Sequence, residues 1–258
     1  MDYFKNTEFI SNSQLRSFVK YDKWGNRILT PDIYKALYID KTQEFEVNDA
    51  IIVWKIVDRY FDWEWEKVWD SYEIKARRSA SDKETQTIIS PAMQETALKM
   101  ISWGNNWSKF QEFINDKNTK AQVRKEIESD FTDENWEVFN IKIKGLPDYV
   151  NEDRKLIVDL KTTWNLDMVI DDLQFKWEPK FTANYIRQLA WYNKLMWCWY
   201  DWALAVITEK WVKWIDIPNW ILEKATEILD KDYIDLYKFL KNPNSINESI
   251  FIDEPLEL

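Results

Sequence analysis

Residues 136–163 read WEVFNIKIKGLPDYVNEDRKLIVDLKTT, and much of the expected architecture follows from this stretch. Its first part alternates polar with apolar residues, which predicts a half-buried strand. The polar segment NEDRK predicts a turn, and the apolar run LIVDL after it predicts a central strand. The second strand carries two charged side chains, Asp159 and Lys161, where a buried strand ordinarily has none.

Helical and strand-like patterns alternate on both sides of this stretch. Helices are predicted after a cap at Ser11 or Ser13, over residues 47–61, and from Pro91 to about residue 101, where Ser90 is the cap. Two short helices are predicted over 107–129. A helix over 181–196, two strands (ALAVIT and VKWIDIP) and a long amphipathic helix up to residue 240 follow. We therefore expect an α/β fold with a mixed central sheet flanked by helices and a helical N-terminal half.

The chain of 258 residues, 45% of them hydrophobic, fits one domain with a substantial core. We expect a single domain over 1–258, with a mainly helical portion (1–130), a sheet core (131–220), and a C-terminal helix with an acidic tail (221–258). The single cysteine, Cys198, excludes an internal disulfide framework and a four-cysteine metal site. The sequence shows neither an apolar run of membrane-span length nor a signal region, so we expect a cytoplasmic protein without a membrane partner.

Tryptophan and glycine occur in unusual numbers: the chain has 17 Trp, 3 Gly and no His. Average glycine usage of about 7% would give roughly 18 glycines. Tryptophans also occupy segments that need flexible residues, such as EKWVKW between two predicted strands. One hypothesis is that most of these positions are glycine in the source organism, because the codon UGA is read as Trp in some genetic codes and as Gly in others. The alternative is an aromatic-rich carbohydrate or peptide binder, and UGG codons at these positions would favour it.

Three charged side chains belong to the two strands predicted from 136–163. Asp148 ends the first strand, and Asp159 lies eleven residues later on the second. In a hairpin this spacing can bring both carboxylates to the same face and the same end. They would repel unless a cation binds between them, and Mg²⁺ prefers such hard oxygen ligands. Lys161 projects from the same face as Asp159, where it can orient a water or stabilise charge on a phosphate.

The pattern Pro147-Asp148, followed by Asp159-Leu160-Lys161 after an apolar strand, resembles the PD-(D/E)XK nuclease superfamily. The segment QLAWY, residues 188–192, resembles the Q-x-x-x-Y helix motif of the branch that contains RecB-type and exonuclease VIII-like enzymes. The two motifs together are much more specific than D-x-K alone, which is common as a surface ion pair. The resemblance covers residues 135–195 well, the N-terminal half loosely and the last sixty residues hardly at all.

The resemblance implies a restriction-endonuclease-like core and a metal-dependent nuclease. Asp148 and Asp159 would bind Mg²⁺ or Mn²⁺ together with the backbone carbonyl of Leu160, and Lys161 would position the attacking water. A net charge of −10 argues against a general nucleic-acid coat protein. It does not exclude a nuclease, since metal ions can neutralise an acidic site and basic residues can cluster locally, as in TKAQVRK at 119–125.

Further site residues follow from the same resemblance. Gln188 and Tyr192 share a helix face, and they would contact DNA or brace the site. The branch usually carries G-x-x-x-H in an early helix, with the histidine as a metal ligand. The matching stretch IIVWKIVDRYF places Trp54 at the glycine and Asp58 at the histidine. Asp58 is therefore a candidate ligand or a helix-surface acid, and Glu126, on a helix predicted before the sheet, is the rival acid.

We therefore expect a Mg²⁺-dependent DNA nuclease, specifically an exonuclease of phage or recombination type. One alternative is a structure-specific or restriction-type endonuclease. Another, from a different class, is a non-catalytic DNA-binding or assembly protein that keeps the fold. Relatives of this sort often form rings around DNA, so the resemblance also implies a homo-oligomer, and a recombination partner protein is a further expectation.

Overall fold

Helices and strands alternate along the chain, as the sequence patterns indicate. A computed structural model describes residues 8–22, 25–44, 47–64, 67–76, 86–164, 184–196, 200–243 and 250–252. Its α-helices are α1 (Asn12–Phe18), α2 (Pro31–Tyr34), α3 (Asp49–Arg59), α4 (Pro91–Asn105), α5 (Ser108–Ile114), α6 (Asn184–Leu195) and α7 (Asn219–Lys241). Its strands are β1 (Ile10–Ser11), β2 (Val19–Tyr21), β3 (Arg27–Leu29), β4 (Glu73–Ile74), β5 (Ile88–Ile89), β6 (Thr119–Ala121), β7 (Lys125–Thr132), β8 (Val138–Gly145), β9 (Tyr149–Asn151), β10 (Leu156–Thr162), β11 (Asp201–Ile207), β12 (Val212–Ile217) and β13 (Ile250–Ile252).

Five strands form the main sheet, in the order β12-β11-β10-β9-β6. Strand β10 lies at its centre, parallel to β11 and antiparallel to β9. Strands β12 and β6 pair antiparallel at the two edges. The sheet is therefore mixed, and the apolar run LIVDL lies on its central strand, as the sequence predicts.

Alternate residues of this sheet enter two different apolar cores. Trp202 and Leu204 of β11 pack with residues of α6 and α7 on one face. Ala203 and Ala205 pack with residues of α3, α4 and α5 on the other face. Burial on both faces explains why β11 is apolar at every position after Asp201, and why β10 is apolar except at Asp159, Lys161 and Thr162. The prediction of a mixed sheet flanked by helices is confirmed.

The stretch 136–150 forms two strands in two sheets rather than one strand. Strand β8 ends at Gly145 and belongs to a second sheet of order β1-β8-β7, whereas β9 begins at Tyr149 in the main sheet. Pro147 lies between them and has no N–H to donate to a ladder. Asp148 therefore precedes β9 in the connection between the two sheets and does not end a long strand.

The two helices predicted over 107–129 are only partly correct. Helix α5 ends at Ile114, and β6 and β7 follow it. Ile127 and Phe131 are four residues apart, a spacing that places them on the same side of either a helix or a strand. Strand β7 pairs with β8 along all eight of its residues, so this segment is a strand and not a helix. The continuous strands of the sheet core thus begin near residue 119 rather than 131, within the portion predicted to be mainly helical.

Capping residues mark the helix starts correctly. Ser11 and Gln14 form a reciprocal capping box at the start of α1. Ser90 accepts a hydrogen bond from the Met93 N–H, with Pro91 at the first position of α4. The sequence signals for these two starts are therefore confirmed, although α4 continues to Asn105.

A buried ionic network fixes α6 against α7 and the N-terminal strands. Asp232 on α7 is fully buried and accepts hydrogen bonds from Arg27 Nε at 2.8 Å, Arg187 Nη2 at 2.9 Å and the Tyr21 hydroxyl at 3.0 Å. Three donors compensate the desolvation of this carboxylate. Because Arg187 directly precedes Gln188, the network also holds the helix that carries QLAWY.

The tryptophans of the structure fall into different environments. Trp191 and Trp202 are buried, and their indole N–H groups donate to the Lys144 carbonyl at 3.0 Å and to Asn193 Oδ1 at 3.1 Å. Trp136 is 86% exposed and has a φ of 63°, in the left-handed region that glycine adopts readily. The glycine hypothesis is thus supported at position 136 and gains nothing at 191 or 202.

None of the helices in the described ranges is long and apolar enough to cross a membrane. Some parts of the sequence-based predictions fall outside those ranges: Cys198, residues 181–183 of the helix before QLAWY, and the acidic tail over 253–258.

Candidate active site

Asp148 and Leu160 meet where the pairing of β9 with β10 ends. The ladder between these strands covers only residues 156–158 of β10, so Leu160 lies beyond it. The Leu160 N–H donates instead to Asp148 Oδ2 at 2.8 Å. The N–H and C=O of one strand residue point to the same side, so the Leu160 carbonyl faces the same edge as Asp148.

Asp159 and Lys161 share one face of β10, as the two-residue spacing predicts. Asp159 is fully buried, and its Oδ2 forms an ion pair with Lys161 Nζ. Burial lowers the pKa of Lys161, but the negative charges of Asp159, Asp148 and Asp58 and the hydrogen bond to Asp159 together raise it by more, so the net shift is upward. Lys161 is therefore a firmly protonated cation beside two acids.

The environment of Asp148 disfavours its charged form. Burial raises the pKa of Asp148 well above its usual range, and the charge of Asp159 raises it further. The charge of Lys161 and the Leu160 N–H act in the opposite direction. A divalent cation at this place would stabilise the ionised carboxylates, because it supplies the opposite charge that Lys161 alone does not fully provide.

Asp58 on α3 joins the same group of charges. Its Oδ1 is buried and accepts no hydrogen bond from the described residues. Burial raises the pKa of Asp58 to about 7, the charge of Lys161 opposes this shift, and the charges of Asp62 and Asp159 add to it. An orphaned, buried carboxylate oxygen beside other acids is an atom that a cation would satisfy.

Glu126 lies elsewhere, on β7 of the three-stranded sheet, and its Oε1 accepts from Arg124 Nη2 at 2.7 Å. The prediction that it lies on a helix is wrong. The acid found near Asp58 is Asp62, which the sequence analysis did not single out. Asp62 lies on a π-helical turn, Tyr60–Glu64, that continues α3. The sequence could have indicated Asp62, because a spacing of four residues places it on the same helix face as Asp58.

Gln188 and Tyr192 share a face of α6, as predicted. Gln188 Nε2 lies 3.4 Å from Asp159 Oδ1 and 3.0 Å from the Tyr192 hydroxyl oxygen, and it donates to both. Tyr192 is only 7% exposed, and its ring stacks on Trp202 with the centroids 6.3 Å apart. Of the two expected roles, this geometry fits bracing of Asp159 better than contact with DNA.

The donor set resembles an open ion site rather than a closed one. Within the described part of the chain, no three acidic, histidine or cysteine side chains converge into a ready metal cage. Mg²⁺ usually binds through one or two carboxylates and keeps waters that substrate phosphates can replace. The oxygens of Asp148, Asp159 and Asp58 and the Leu160 carbonyl are those that such an ion would share with water and substrate.

Comparisons with known proteins bear on the fold. No protein-family model and no curated protein matches the chain. The crystal structure of a "putative exonuclease" from Eubacterium rectale matches with a TM-score of 0.66 and 18% identity, over 97% of this chain and 88% of that chain. The crystal structure of SSO0001 matches at 17% identity, over 76% of this chain and 81% of that chain. Its TM-score of 0.31 is too low to support an argument. The chain therefore shares its mixed α/β fold with the Eubacterium rectale protein along nearly its whole length.

Proposed function

We propose that this protein is a Mg²⁺- or Mn²⁺-dependent deoxyribonuclease of the PD-(D/E)XK type that hydrolyses phosphodiester bonds. The observation that carries the proposal is the meeting of Asp148, Asp159 and Lys161 at one end of two paired strands, with Asp58 among the same charges. Gln188 of the Q-x-x-x-Y motif on α6 contacts Asp159 from a separate element, and Tyr192 accepts a hydrogen bond from Gln188. The fold shared with the Eubacterium rectale protein, described as a "putative exonuclease", is further support for a nuclease and favours an exonuclease.

The side chains of the site have two roles: the acids would bind the metal, and Lys161 would supply a positive charge. Asp148 and Asp159 would hold the metal, with the Leu160 carbonyl and Asp58 as additional oxygen donors. The bound metal would lower the pKa of a water and stabilise charge on a phosphate. Lys161, protonated and next to Asp159, would orient that water and stabilise negative charge as it builds on the phosphate.

Lys161 can serve in this role because its position is fixed. Its side chain is 15% exposed and paired with a fully buried carboxylate, so it has little freedom to turn away. Preorganised charges of this kind stabilise a transition state without a further cost of reorientation. A homo-oligomer, a recombination partner and a cytoplasmic location stay predictions.

The test is a time course on linear and covalently closed circular DNA, with and without Mg²⁺. Loss of linear DNA alone is the expected result and supports an exonuclease, whereas cutting of the circle supports an endonuclease. Asp148→Asn is the matched control. The substitution removes only the charge, because the amide oxygen can still accept the hydrogen bond from the Leu160 N–H. Degradation at an equal rate by this variant would mean that the activity lies elsewhere.

A folded protein that binds DNA and degrades neither form with Mg²⁺ or Mn²⁺ would overturn the proposal in favour of the non-catalytic alternative. The same assay must also be run on a variant chain with glycine at the exposed tryptophan positions. If those positions are glycine in the source organism, the tryptophans themselves would impair folding and hide an activity. Retained binding without cleavage in both chains would settle the point.

A further inference from the structure

The connection between β6 and β7 lies against the group of acids. Gln122 in this connection has a φ of 49°, a backbone angle that residues other than glycine rarely adopt. Its N–H donates to the Asp148 carbonyl at 2.7 Å, and the next N–H, of Val123, donates to the Pro147 carbonyl at 3.0 Å. Unfavourable backbone angles persist where the surrounding structure enforces them, and they cluster at functional sites. Here the enforced conformation holds the backbone of the Pro147-Asp148 pair.

The side chain of Gln122 contacts a second element. Gln122 Nε2 donates to Asp62 Oδ2 at 3.0 Å, and the Tyr149 hydroxyl lies 3.5 Å from Asp62 Oδ1. Asp62 follows Asp58 by four residues on the π-helical continuation of α3. One residue therefore joins the segment that carries Asp148 to the segment that carries Asp58.

We propose that Gln122 is a positioning residue that sets the separation between Asp148 and Asp58. Its backbone fixes Asp148, and its side chain fixes the end of α3 through Asp62. The inference rests on one part of the proposed function, namely that Asp148 and Asp58 bind the same divalent cation. Hydrogen-bond partners behind metal ligands typically change metal affinity or activity by about 10–100-fold when they are removed.

The substitution Gln122→Gly separates this role from a purely structural one. Glycine adopts the observed φ without strain and keeps the N–H that donates to Asp148, so the loop conformation is retained. Only the link to Asp62 is lost. A purely structural role predicts that stability and cation affinity fall together, whereas a positioning role predicts lower affinity at unchanged or higher stability.

Lys155→Gly is the matched control. Lys155 also has a φ of 49°, but it lies in the turn between β9 and β10, with its Nζ over the Tyr200 ring at 5.3 Å. This variant relieves the same backbone conformation without touching Asp62 or Asp148. Its Mn²⁺ affinity should equal that of the wild type.

The experiment measures Mn²⁺ binding by calorimetry and thermal unfolding without metal, both on the full chain. We expect Gln122→Gly to raise the Kd for Mn²⁺ about tenfold, with an unfolding temperature equal to or above that of the wild type. Gln122→Glu should weaken binding further, because it places a like charge beside Asp62. DNA cleavage at varied Mn²⁺ should show a matching rise in the half-saturating concentration.

A Kd for Gln122→Gly within twofold of the wild-type value would overturn the inference, and so would a wild-type chain that binds no Mn²⁺. If the wild type binds Mn²⁺ but leaves DNA intact, the proposed nuclease function fails. The positioning role is then still decided by the two Kd values, so the two failures are distinguishable.

Discussion

Gln188 donates its side-chain amide to Asp159 across 3.4 Å, although 29 residues separate the two along the chain. The contact joins α6 to the central strand and brings the two sequence motifs into one site. The other carboxylate oxygen of Asp159 is paired with Lys161. The amide of Gln188 thus restricts the rotation of this fully buried carboxylate.

Replacing Gln188 by alanine should lower kcat on linear DNA about tenfold and change KM little, because the amide acts through Asp159. Tyr192→Phe is the control, since it keeps the ring that stacks on Trp202 and removes only the hydroxyl that accepts from Gln188. Its effect should be smaller. A rise in KM at constant kcat for Gln188→Ala would instead show that Gln188 contacts DNA.

Lys161→Ala should abolish Mg²⁺-dependent DNA degradation, with a loss of about 100-fold or more, and leave the chain folded. Lys194→Ala is matched to it: the two lysines are 15% and 16% exposed, and each is paired with an aspartate. Lys161→Ala should lose more stability in denaturant unfolding, because Asp159 is fully buried whereas Asp230 is 31% exposed, but both variants should stay folded and only Lys161→Ala should lose activity. Full activity of Lys161→Ala would remove this residue from the mechanism.

The raised pKa of Asp58 predicts how pH and metal affect stability. The pKa of Asp58 is about 7 in the folded chain against an ordinary value of 3.8, so between these values the folded chain binds a proton that the unfolded chain releases. The contribution of this group to the stability of the metal-free chain therefore falls as pH rises from about 4 to 7. Metal binding requires the ionised carboxylate, so added Mg²⁺ should stabilise the chain more at pH 8 than at pH 6.

Thermal unfolding with Mg²⁺ and with EDTA at both pH values checks this prediction. Asp58→Asn should flatten the pH dependence of the metal-free chain, because the amide does not titrate in this range. Equal stabilisation by Mg²⁺ at pH 6 and pH 8 would contradict the assignment of Asp58 to the cation site.

Some site residues were identified because their chemistry conflicts with their position, whereas Gln188, Tyr192 and Asp58 were identified only through the family resemblance. Asp159 and Lys161 were visible because a charged pair interrupts an apolar central strand, and Asp148 was visible beside Pro147. The break between β8 and β9 was not, because the sheet to which a strand belongs depends on distant partners. Gln122 carried no signal, since its left-handed backbone and its link to Asp62 arise only when β6, β9 and α3 have assembled.

The turn between β7 and β8 provides a direct test of the glycine hypothesis. Trp136 has a φ of 63°, and its indole is 86% exposed. Its N–H donates to the Asp133 carbonyl at 3.0 Å, a bond that glycine would keep. A left-handed backbone costs an L residue about 1–2 kcal/mol, and the greater freedom of glycine in the unfolded chain offsets up to about 1 kcal/mol of this.

We therefore expect Trp136→Gly to raise the free energy of unfolding by up to about 1 kcal/mol, measured by denaturant titration. Trp191→Gly is the contrasting variant, because Trp191 is buried, stacks on Tyr233 at 4.3 Å and donates to the Lys144 carbonyl. It should lower the free energy of unfolding by more than about 3 kcal/mol. A loss of stability in Trp136→Gly would show that tryptophan is the fitting residue at this turn, and the hypothesis would then lose its best structural support.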